Sequence, residues 1–333
     1  APGRPGDPPG RRGSPLKSRS QRLATPLALV AAAFALACAT GSALDHGARE
    51  TGRLCFWKVE SPAGAAGLAH LLGSIHFGPP DFEFDPAIQE AFERSDALVM
   101  ELDPKEAGDE RMAALLDEMG RLPEGETLSD VISPDTYDAL AQALERSGYP
   151  IAVLDPFKPW VATITLSSLA IQSGGLSKDG GVEAQLIERA GTQMEIIGLE
   201  TPGQQMALFD GMPLDLQEET LRGLVSEGDL LRDTTEAIVE AWLRGDTERL
   251  AELARIGIQD DEDARVFYRT MYLERNQKMA REIADLIDRG GEWFVVIGTA
   301  HMVGEAAIPA LLEERGYRVR QIEKTVERSD AVD

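Results

Sequence analysis

Two histidines in this chain follow a glycine by three residues at the ends of apolar runs, in Gly73-Ser-Ile-His76 and Gly298-Thr-Ala-His301. Glu101 closes a third such run, Ala97-Leu-Val-Met100. A carboxylate at the end of a buried strand is costly unless it is paired, protonated or bound to metal. Imidazole and carboxylate groups brought together can exchange protons, or can hold a divalent ion that polarises a carbonyl and acidifies water. Each residue also has a plain structural reading: either histidine as a packed core group, and Glu101 as the start of an exposed loop with Asp103. The matching pair of Gly-x-x-His turns favours the chemical reading. Glycine would let the backbone turn sharply so that the imidazole faces a cleft. Asp103 falls on the Glu101 face by the two-residue period of a strand and could support the same site.

These residues need a sheet to bring them together. Leu54–Glu60 and 68–75 read as paired strands around a turn-rich stretch, and 97–102 reads as a buried strand. Asp85-Pro86 opens a helix ending near Arg94, with Asp as cap and Pro at the first helical position. The middle of the chain is mostly helical. Ser133-Pro134 opens one helix, 157–172 is an apolar helix, 182–190 another, and long helical patterns occupy 215–244, 247–256 and 262–289. A strand at 195–198 interrupts them. Strand 293–297, helix 305–315 and strand 317–322 end the chain.

The two ends echo each other, each with a strand, a Gly-x-x-His turn, a helix and a strand. The expected fold is therefore α/β, a central sheet built from two similar β-α-β units at the chain ends with a large helical middle insertion. In such sheets ligands gather beyond the carboxyl ends of the strands, where His76 and His301 fall.

Composition narrows the partners. With 43% hydrophobic and 27% charged residues the chain can build a core, which sets disorder aside. The charge is −24 overall, and beyond residue 37 it is 27 basic against 56 acidic groups, so that body repels phosphate backbones and no nucleic-acid partner is expected. Residues 1–37 are instead basic and lead into Leu27-Ala-Leu-Val-Ala-Ala-Ala-Phe-Ala-Leu-Ala-Cys38, the layout of a secretory signal. Ala35-Leu-Ala-Cys38 also resembles a lipobox, so Cys38 is a candidate for a lipid anchor, beside ordinary cleavage and a retained anchor. The domains expected are residues 1–44 as leader and linker, 45–325 as the catalytic body and 326–333 as a polar tail, with the body exported to the periplasm or tethered at the envelope. In that body Cys55 stands alone, which excludes an internal disulfide there, and its apolar neighbours mark it as a core thiol. His46 falls in the linker, and His70 lies inside a strand as a packing residue.

Leu72-Gly-Ser-Ile-His-Phe-Gly78, Val99-Met-Glu-Leu-Asp103, Lys158-Pro-Trp160, Gly198-Leu-Glu-Thr201, Glu274-Arg-Asn276 with Met279-Ala280, and Ile297-Gly-Thr-Ala-His-Met-Val-Gly304 occur in this order. Together they resemble the TraB/GumN family, which includes the Tiki metalloproteases. The resemblance implies a fold related to the erythromycin esterases and a catalytic set of His76, Glu101 and His301. It also implies a divalent metal, Mn or Co in Tiki relatives, with Zn equally compatible with such ligands, and hydrolysis of a peptide or small amide or ester substrate. With all three residues as metal ligands, another group must move the proton. Glu200 is the candidate for that, and Arg275 for stabilising an oxyanion. Their structural readings are a helix-capping acid and a helix-surface cation. No Gly-x-Ser-x-Gly elbow, His-Glu-x-x-His or phosphate loop offers another signature. Two other readings stay open: a metal-free esterase-like hydrolase with a histidine base, and a noncatalytic envelope protein that captures peptides. Oligomeric state is not legible here.

The leader generates the first prediction. Cys38→Ser should abolish lipid labelling while ordinary cleavage still leaves the protein outside; mass spectrometry of the mature N-terminus checks it, and an intact leader on a cytosolic protein would sink both export readings.

Overall fold

Three apolar runs form the parallel centre of one sheet: Leu68–Ser74 (β2), Ala97–Leu102 (β3) and Glu292–Gly298 (β5). They lack polar alternation because both faces are covered, and Leu71, Leu98, Val99, Phe294 and Val295 are fully buried. The structure is a computed structural model that describes residues 52–62, 67–75, 83–173, 181–226, 228–255 and 262–325. Arg53–Glu60 (β1), Glu195–Glu200 (β4) and Arg318–Glu323 (β6) complete a six-stranded mixed sheet in the order β4-β3-β5-β2-β1-β6. β1 is antiparallel to β2 and β6, and the other pairings are parallel.

The helices are Pro86–Arg94 (α1), Asp109–Gly120 (α2), Leu128–Val131 (α3), Pro134–Arg146 (α4), Pro159–Ser173 (α5), Val182–Ala190 (α6) and Pro202–Asp210 (α7). Leu214–Ser226 (α8), Gly228–Arg244 (α9), Thr247–Leu253 (α10), Glu262–Tyr268 (α11), Arg275–Asp288 (α12) and Ile308–Glu314 (α13) follow.

The two expected β-α-β units are present, but they interleave. β2-α1-β3 passes over β5, whereas β5-α13-β6 runs the other way past β2 and β1. Crossovers of one hand that run in opposite directions put their helices on opposite faces. Phe92 of α1 accordingly meets Phe294 edge-on, ring centroids 5.3 Å apart. Glu101, on the other face from the Phe294 partner Leu98, meets α12, against which α13 packs. The helical middle has a second core of its own, where Leu140 and Leu144 of α4, Trp160 of α5 and Leu221 of α8 gather with Met271 and Tyr272.

Several helix boundaries depart from the sequence reading. The pattern 215–244 divides into α8 and α9, and 262–289 is interrupted by a π-helical turn at Arg269–Glu274. The apolar helix begins at Pro159, not residue 157, because Lys158 bonds back to Gly120 and holds the chain extended there. Helix 305–315 begins only at Ile308, since Gly304 and Ala306 take positive φ of 81° and 52°. α2, α3 and α7 are additional. The Thr201/Gln204 capping box that starts α7 was legible in Thr201-Pro-Gly-Gln204, but Pro-Gly reads equally as a turn. The leader with Cys38, His46 and the tail 326–333 lie outside the described residues. Among the described residues no helix is long and apolar enough to cross a membrane.

Phe294 has no exposure and meets the rings of Phe92 and Phe56. Phe294→Ala should cost about 3–5 kcal/mol, read as a lower urea midpoint with an unchanged slope.

Candidate active site

The carboxyl ends of β2, β3, β4 and β5 lie side by side, with Ser74 opposite Gly298 and Leu102 opposite Glu200. Close packing there depends on three glycines. A turning role for the motif glycines does not hold: Gly298 has φ −47°, and Gly73 is not among the positive-φ positions. Both instead leave space. A Cβ on Gly73 would sit 3.0 Å from Thr299 Oγ1, and one on Gly298 would sit 3.2 Å from Glu101 Oε1 and 3.8 Å from His301 Cδ2. Gly198 lets β4 approach the turn after β3, where a Cβ would fall 2.6 Å from the Asp103 nitrogen.

Glu101 enters the site from β3 and is held at both oxygens. The Gly298 N–H donates to Oε1 at 2.8 Å, while Arg275 Nη2 and Gln205 Nε2 donate to Oε2 at 2.9 and 3.0 Å. Glu200, at the end of β4, accepts from Arg275 Nε at 2.9 Å, from Nη2 at 2.6 Å and from Gln205 Nε2 at 3.1 Å. The third face of the guanidinium donates through Nη1 to Met271 O at 3.0 Å. Burial would pull the Arg275 pKa down, but the Glu200 hydrogen bonds and both carboxylate charges outweigh it and hold it well above the ordinary value. Arg275 stands directly after the π-helical turn, a distortion common at functional sites.

His301 follows β5 in a short 3-10 turn and is fully buried. Its Nδ1 lies 2.5 Å from Asn276 Oδ1, and its ring centroid is 5.3 Å from that of the buried Tyr272. The structure thus brings together Glu101, Glu200, Arg275 and His301. His76, the other expected ligand, lies outside the described residues, two positions past Ser74. Among the described residues no three His, Cys, Asp or Glu side chains gather as a metal site.

The remaining candidates have structural tasks. His70 sits at the far end of the sheet, bonded through Nε2 to Glu292 at 2.8 Å and stacked on Phe56; burial, against the pull of Glu292, lowers its pKa. Asp103 accepts from the Lys105 N–H in the turn after β3. Burial and the nearby Asp246 charge push the Cys55 thiol up to about 12, which keeps it inert. Gln205 was not singled out from the sequence, and Asn276 stood in the Glu274-Arg-Asn276 motif without a role. Asn276 carried a usable signal: with Arg275 it occupies the stripe shared by Tyr272, Met279 and Ile283, where an amphipathic helix should be apolar.

Arg275→Met should destabilise the fold by about 3–5 kcal/mol, because it strands the buried Glu200 and the largely buried Glu101. Urea titration, read as a lower midpoint, checks the size.

Comparison with protein-family models matches the TraB/PrgY/gumN family over residues 55–321. Comparisons with curated proteins and with solved structures return no match. The matched span runs from β1 to β6 and includes every strand that supplies the site, so this chain belongs to the TraB/PrgY/gumN family.

Proposed function

We propose that the protein is an exported metal-dependent hydrolase that cleaves a peptide or other amide bond. One observation carries this reading: Glu101 Oε1 and the Cδ2 edge of His301 flank the same point beside Gly298, at a crossing of parallel strand ends. A carboxylate and an imidazole form a donor set suited to Mn, Co or Zn. Two carboxylates also share a single guanidinium, so the described residues carry more negative than positive charge here, which favours a cation.

Glu101 and His301, with His76, would hold the ion, which when bound supplies Lewis acidity and an acidified water. The protein's own groups do the positioning. The Gly298 N–H and Arg275 fix the Glu101 carboxylate, and Gln205 bridges it to Glu200. In this reading Glu200 and Arg275 have different tasks from those expected of a proton mover and an oxyanion donor. The fork of Arg275 is turned onto the two acids and a backbone carbonyl, so it clamps them. Arg275 and Glu200 are themselves buried, which keeps the clamp largely out of water. Export, with either a lipid on Cys38 or ordinary cleavage, is read from the leader and is part of the same proposal.

Glu101→Gln keeps the side-chain shape and removes its charge. Metal analysis of the purified protein should show stoichiometric metal in the wild type and a large loss in the variant, with peptide-hydrolysing activity falling at least 100-fold, on the order of catalytic proton or metal contributions. Retained metal with lost turnover would make Glu101 a base instead of a ligand. Full activity of the wild type after chelation would favour the metal-free hydrolase.

A further inference from the structure

The segment between the 3-10 turn and α13 contains the only non-glycine residue with positive φ among the described residues, Ala306 at 52°. An L-residue adopts this conformation at a cost, and such outliers persist where the surroundings demand them. What the conformation achieves is visible in its carbonyl, which accepts from Asn276 Nδ2 at 2.9 Å. A backbone carbonyl has no proton to give, so the amide nitrogen must face Ala306 and the amide oxygen must face His301. That oxygen is the atom 2.5 Å from His301 Nδ1. Asn276 is itself almost fully buried, at 1% exposure, and His301 is at 0%, so neither group can trade this partner for bulk water.

We propose that Asn276 is a positioning residue that sets the tautomer of His301, and that the strained Ala306 carbonyl sets the orientation of Asn276. An amide oxygen accepts and cannot donate, so Nδ1 carries a proton, and a ring with a single proton has its lone pair at Nε2. This is the state in which an imidazole ligates a metal or accepts a proton, and a ring N–H held by an acceptor is the usual support for a ligating histidine. The relay runs one way. Ala306 offers only an acceptor, which forces the amide to show its donor there and its acceptor to the ring. An amide flip would put a carbonyl oxygen against the Ala306 carbonyl oxygen, a repulsion that no tautomer of the ring relieves. The inference deepens the proposed hydrolase, whose chemistry needs the Nε2 lone pair, but the tautomer itself is independent of metal or substrate.

The test is long-range nitrogen–proton NMR on the full chain with nitrogen-labelled histidine, without added metal and at about pH 8, above the ordinary histidine range. Histidine single variants assign the rings. In the wild type, His301 Nδ1 should show the protonated, pyrrole-type shift and Nε2 the bare, pyridine-type shift. The reverse pattern, or an averaged one, would overturn the proposal without a variant being made. Asn276→Asp keeps the acceptor toward the ring, at the cost of an oxygen against the Ala306 carbonyl, and should keep the proton on Nδ1. Asn276→Leu removes it and should give mixed or reversed shifts; an unchanged Nδ1–H tautomer in a folded Asn276→Leu protein would also overturn the proposal. Metal titration followed on the same signals separates the two readings. The expected tautomer with no response of Nε2 to Mn, Co or Zn would sink the metal-dependent hydrolase and leave the relay standing.

Discussion

A buried guanidinium shared by one buried and one largely buried carboxylate is stable only if all three groups are held in place, since loss of any one strands charge in a low-dielectric interior. Here the three come from separate parts of the chain. Glu101 arrives on β3, Glu200 on the edge strand β4, and Arg275 on a helix from the other end of the sequence. Their meeting therefore fixes the spacing between sheet and helix. It also explains the local oddities around it: a π-helical turn immediately before Arg275, and glycines wherever a methyl group would push a strand end away. The site is less a pocket added to a fold than the junction at which sheet and helical layer are tied.

Much of this architecture was legible in the sequence. Apolar runs without alternation identified the central strands, and Asp85-Pro86 and Ser133-Pro134 marked helix starts that the structure contains as capped termini. The pairing of residues near the C-terminus with residues near the N-terminus was inferred from the repeated Gly-x-x-His turns, and β2 and β5 are indeed neighbours. Strand order was not legible. Nothing in local pattern says that β5 enters between β2 and β3, because that is decided by which edges remain to be covered and from which face a crossover returns.

At the site the types of residue were readable and their tasks were not. A buried Glu at a strand end demands a partner, but hydrophobic periodicity does not name it, so Arg275 read as a surface cation or an oxyanion donor until its fork was seen on two acids. The glycines illustrate the same limit. Glycine in a motif suggests conformational freedom first, whereas Gly73 and Gly298 matter here for the space they leave. The task of Asn276 was hidden for a different reason: one polar residue on an apolar helix stripe is a signal only once the depth of that stripe is known.

The interleaved topology has a consequence in time. β5 fills a slot between two strands that are made long before it, and its own turn carries His301. Until the last fifth of the chain arrives, β2 and β3 each lack a neighbour, and Glu101 has neither the Gly298 N–H nor the Arg275 fork. Such long-range closure is slow, because the loop entropy must be overcome before the contacts that reward it can form. The chain therefore cannot assemble this cluster piecemeal during synthesis. The cluster is complete only once β5 is in place, and a chain that ends before β5 lacks both the Gly298 N–H on Glu101 and the turn that carries His301.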